Sequence, residues 1–164
     1  MALERRVAAA NGEEYAEVPD LGLAWDTAAP LPYLLSSGHH AFVLFRLIRD
    51  QHQGGTAEPR SVTTEVSRPI EFGLVEFVRP SLLTFGEPND EGLSDHRLYG
   101  KGLDFYAAHE VQGSQRLRDA GGGGRHYVFT FQDETLECVA DDLKTERIEA
   151  LLPDALSQVA QRLA

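Results

Sequence analysis

The sequence predicts a β-rich α+β fold: a curved, mostly antiparallel sheet or an open barrel, with a C-terminal helix packed on it. Three observations carry this. Apolar residues alternate with period two in several separate segments. The stretches between those segments are mostly too short for the crossover connections that parallel strands need. Ile148, Leu151, Leu152, Leu156, Val159 and Leu163 recur at helical spacing near the C-terminus, enough to bury one stripe on a sheet.

The elements follow in chain order. Ala2 to Ala10 reads as a short helix ended by Asn11-Gly12. Leu21, Leu23 and Trp25 make a weak alternating strand before a turn over Asp26 to Pro30. Ala41 to Ile48 is apolar on both faces apart from Arg46, the pattern of a central strand. Ser61 to Arg68 alternates cleanly and reads as half-exposed. Ile70 to Val78 carries apolar groups on both faces, as a central strand or one turning a corner near Gly73 does. Phe105 to Val111 is a further strand, with Phe105, Ala107, His109 and Val111 on one face. Gly113 to Ala120 holds a helical turn, and Gly121 to Gly124 reads as a mobile loop. His126 to Phe131 and Thr135 to Ala140 form the best hairpin, turning at Gln132-Asp133-Glu134. Pro153 divides the C-terminal stretch into a short helix ending near Leu151 and a second helix beginning at the proline.

Length and composition bound the function. At 164 residues the chain is one domain's worth, and scaling has it bury about two-thirds of its surface on folding. Lys and Arg number 15 against 26 Asp and Glu, a net charge of -11. Nucleic acid and anionic membranes are thereby excluded as main partners, because both repel such a chain. A single cysteine, Cys138, rules out an intrachain disulfide and Cys-rich zinc sites. The longest apolar run, Ala41 to Phe45, stops at Arg46, and the N-terminus lacks a signal-peptide pattern, so a cytoplasmic protein is expected. A homodimer is compatible with the sequence.

No nucleophile elbow, dinucleotide fingerprint or zinc-protease motif is present. The four glycines are not a phosphate cradle, since no Gly-Lys-Ser/Thr follows them. His39-His40 point apart on an extended chain and His52 stands alone, so neither a metal nor another cofactor is expected. The unusual segment is Thr84 to Leu103. It is long for a loop, and it mixes anchoring Phe85, Leu93, Leu98 and Tyr99 with Asp90, Glu91, His96 and Lys101. It reads as an ordered lid or binding loop.

Two functions are weighed. In the first, the chain binds a small organic molecule in a cavity under loop 84–103, with cofactor-independent isomerase, cyclase or hydratase chemistry. His109 is then the acid/base and Glu76 its partner, while Asp90, Glu91, His96, Tyr99 and Lys101 bind the ligand. In the second, it is an acidic interaction module that binds a basic protein without catalysis. A polar cavity beneath the loop favours the first, and a filled interior with an acidic face favours the second.

Overall fold

The computed structural model describes residues 2–26, 32–48 and 67–164. In chain order its elements are α1 (Ala2–Asn11), β1 (Tyr15–Glu17), β2 (Tyr33–Ser36), β3 (His40–Arg46), β4 (Ile70–Val78) and β5 (Leu82–Gly86). A 3₁₀ turn (Leu93–Asp95), β6 (Ala108–Gln112), α2 (Gln115–Asp119), β7 (Arg125–Thr130), β8 (Thr135–Ala140), β9 (Asp142–Ala150) and α3 (Leu152–Arg162) follow. The fold is α+β with more strand than helix. Its strands form two antiparallel sheets, β1-β6-β7-β8-β5 and β2-β3-β4-β9, neither closed into a barrel.

The two sheets pack face to face, and strict alternation decides what each face does. On β4, Val75 and Phe77 point to the other sheet, where they meet Tyr127, Phe129, Leu136 and Cys138. Ile70, Phe72 and Leu74 point the opposite way, onto Leu152, Ala155 and Val159 of α3. Gly73 falls in the first set, and its missing side chain leaves room for the Phe45 ring and Leu47. Trp25 closes one end of this inter-sheet core, its ring 4.4 Å from Phe45.

The outer face of the five-stranded sheet is covered by chain rather than by a long helix. Leu93, Leu98 and Leu103, from the segment between β5 and β6, are buried against Ala16, Val111 and Val128. Gly102 allows that segment to lie close, because a Cβ there would collide with the carbonyl of Ala16. The layers are therefore α3, the four-stranded sheet, the five-stranded sheet and the 87–107 loop.

Two of the crossings between the sheets meet at one corner. Arg79, Pro80 and Ser81 carry β4 into β5, and Asp141 alone carries β8 into β9. Arg79 donates to Asp141 from both Nε and Nη2 at 2.5 Å, tying the crossings together.

Several expected elements are corrected. The helix expected to end near Leu151 is strand β9, paired with β4 along its whole length. Its residues are mostly exposed and charged, so no apolar period announces the strand. Phe105 to Ala107 lie outside β6, and Tyr106 takes a left-handed φ of 53°. The long loop begins after Gly86 rather than at Thr84, since Thr84 belongs to β5. Only a bridge from Trp25 to Leu47 represents the weak strand at Leu21 to Trp25. β1 and β2 are too short to show a period. The strand expected from Ser61 lies, as far as residue 66, outside the described residues. So do His52 and the turn after Asp26.

Candidate functional site

His109 and Glu76 stand on different sheets and face away from each other. His109 lies on the outer face of β6, fully buried beneath the loop. Its Nδ1–H donates to the Val128 carbonyl at 3.0 Å, and its Nε2 accepts the Asp104 amide at 2.9 Å. Burial pushes its pKa below the ordinary imidazole value, against the opposing pull of the Val128 bond and the Asp104 charge. A neutral ring with both nitrogens used is a clamp that holds the loop on the sheet. Glu76 lies on the α3 side of β4, where Oε1 is 2.7 Å from His40 Nδ1 and Oε2 is 3.6 Å from Lys144 Nζ. The inter-sheet core separates it from His109.

The remaining candidates divide into two groups. Lys101 pairs with Glu13 at 2.8 Å on the surface. His96 is half-buried, its Nδ1 accepting the Leu98 amide, and burial holds its pKa down. Asp90 and Tyr99 belong to a second neighbourhood with two aromatic residues. Tyr99 and Phe105 are 42% and 46% exposed and meet edge to face, 6.5 Å between ring centres. Phe105 continues to Tyr106 at 6.3 Å, and the Tyr106 hydroxyl donates to Asp90 at 2.6 Å.

Negative charge is concentrated at the Tyr106 end of this row. The Asp90 amide donates to the carbonyl of Gln132, which brings the loop against the β7–β8 turn carrying Asp133 and Glu134. The hydrogen bond to Asp90, burial and the charges of Asp90 and Asp133 all hold the Tyr106 phenol above its ordinary pKa. Burial and Asp133 push the Glu134 carboxyl up as well. Glu91 is exposed on the same loop. The left-handed backbone of Tyr106 is costly for a non-glycine residue, and such strain is concentrated at functional surfaces.

A third constellation was not anticipated from the sequence. Ser114 Oγ lies 2.7 Å from His126 Nδ1, and His126 Nε2 lies 3.0 Å from Glu137 Oε1. All three residues are buried. Arg97 and Arg116 both reach Glu137, at 2.5 and 2.9 Å, and Arg97 also holds Glu14. Burial alone would raise the Glu137 carboxyl, but the bonds from His126 and Arg97 and the two guanidinium charges outweigh it. Its pKa is lowered to about 2. The available signal was the hairpin's second face. Once Tyr127, Phe129 and Phe131 are assigned inward, His126 and Glu137 share the other side, which reads as solvent until a loop covers it.

On the α3 side of the molecule, an open groove of about 570 Å³ runs between β2 and α3, lined by Tyr33, Leu35, Leu156 and Ala160 among others. It touches none of these groups. Among the described residues no cluster of histidine, cysteine and carboxylate side chains has metal-binding geometry, and no helix is long and apolar enough to cross a membrane. Comparison with known proteins finds no matching family, no similar curated protein and no similar solved structure.

Proposed function

We propose that this chain is an acidic docking module that binds a basic protein segment at the surface formed by Tyr99, Phe105 and Tyr106 with Asp90 and Asp133. The observation that carries the reading is the aromatic row of exposed Tyr99 and Phe105 and half-buried Tyr106, which ends beside Asp90 and Asp133. Aromatic faces attract lysine and arginine side chains, and adjacent carboxylates hold the same cations. The net charge of -11 steers a basic partner toward the chain. Against a ligand cavity under the loop stand Leu93, Leu98 and Leu103, which occupy that space, and His109, whose nitrogens are both engaged.

The test is fluorescence anisotropy with a labelled arginine- and lysine-rich peptide at about 0.15 M salt. Any basic peptide binds weakly to so acidic a protein, so position is the discriminating variable. Phe105→Ala and Asp133→Asn each weaken binding about five-fold. Asp154→Asn, which removes the same charge on α3, leaves it unchanged. Equal affinities for all three variants mean non-specific attraction and end the proposal.

A further inference from the structure

We propose that Ser114, His126 and Glu137 form a covalent acyl-transfer relay at the N-terminus of α2, with small carboxylic esters as its substrate class. These groups take no part in the docking surface, and the two readings stand or fall separately.

The hydrogen bonds assign the roles. An ionised Glu137 only accepts, so His126 Nε2 carries the proton that bridges them. In the neutral ring the Nδ1 lone pair then faces the Ser114 hydroxyl, 2.7 Å away, and accepts its proton. A base is thereby already in contact with a nucleophile, and a carboxylate fixes the base's tautomer. Arg97 and Arg116 keep that carboxylate ionised.

The helix that Ser114 caps is lightly held. α2 has five residues and none of them is buried. Gly113 precedes it and Gly121 to Gly124 follow it, so both ends have backbone freedom. It is held to the rest of the chain by polar contacts: Arg116 on Glu137 and the Gln115 amide on Glu14. Lifting it exposes little apolar surface, so opening is cheap beside opening the sheets.

In the reaction, Ser114 Oγ attacks the ester carbonyl carbon as its proton passes to His126 Nδ1. The carbon–oxygen bond to the alcohol breaks, and the leaving alkoxide takes that proton. Water, deprotonated by Nδ1, then attacks the acyl-serine, releases the carboxylic acid and restores the hydroxyl. Glu137 is a positioning residue that acts through His126.

The experiment treats the intact folded chain with a fluorophosphonate, whose phosphorus is attacked by an activated serine with loss of fluoride, and maps the adduct by mass spectrometry. An adduct on Ser114 is expected, formed about a hundred-fold more slowly in His126→Gln. With p-nitrophenyl acetate, Glu137→Gln lowers kcat about a hundred-fold and leaves KM within about two-fold. An unlabelled wild type, an adduct on a different residue, or equal labelling of His126→Gln overturns the proposal. The wild-type result needs no variant to fold.

Discussion

His126 Nε2 lies 3.0 Å from Glu137 Oε1, although the alternation of the β7–β8 hairpin puts both on the face turned away from the inter-sheet core. That face is not wet. The loop between β5 and β6 roofs it with Leu93, Leu98 and Leu103, while Arg97 from the same loop reaches in to Glu137. One segment thus supplies an apolar cover and the counter-charge that makes a buried carboxylate tolerable.

The Glu137 arrangement makes stability fall in acid. Its pKa drops from 4.5 to about 2 on folding, so between those values the unfolded chain binds the extra proton. Stability from this group is complete above about pH 4.5 and is lost as pH falls toward 2, about 2 kcal/mol of it by pH 3. Urea unfolding at about pH 6 and pH 3 measures this. Glu137→Gln should remove most of that difference and cost about 3 kcal/mol at neutral pH, because two guanidinium groups lose their partner.

His109 should act at a milder pH and with the same sign. Its folded pKa lies below the ordinary 6.5, so below pH 6.5 the unfolded chain takes up a proton that the folded chain refuses. Acidification through that value therefore destabilises the protein. His109→Gln should abolish this part of the slope and lower stability by roughly 1–3 kcal/mol, since the Asp104 amide and the Val128 carbonyl lose well-placed partners. Thermal melts of both proteins across pH 5 to 7 decide it.

Gly73→Ala should be poorly tolerated despite the small change. The new methyl would sit 2.9 Å from Leu47 Cδ2 and from Phe45 Cζ in the inter-sheet core. Overpacking of this kind costs roughly 1–3 kcal/mol, a drop in Tm of roughly 3–10 °C for a chain of this size. A melt within a degree of the wild type would show that Phe45 yields freely.

Cys138 should react only through unfolding. Burial in the inter-sheet core pushes its thiol up to about 12, which leaves almost no thiolate at neutral pH. A chromogenic disulfide reagent should therefore report no free thiol in native buffer and one in guanidinium chloride. Rapid labelling of the native state would mean that the sheets separate easily.

The hairpin of β7 and β8, strand β4, α1 and the C-terminal helix were legible because each carries its own period or terminator. Ile70, Phe72 and Leu74 against Val75 and Phe77 announce a strand buried on both sides, and Pro153 marks the start of α3. Asp142 to Ala150 carries no such mark, since an edge strand with charged residues on an exposed surface has no apolar pattern to show. The composition also set the sign of the charge and thereby the class of partner the proposal names. Tertiary structure alone decided which polar groups meet. His109 and Glu76 each alternate with apolar neighbours, yet the two sheets turn them to opposite sides of the molecule. Ser114, His126, Glu137 and Arg97 come from separate segments and meet because the loop folds back over the sheet. Period-two alternation tells which residues share a face. Whether that face meets water or another part of the chain depends on contacts between residues distant in sequence, and no local pattern records them.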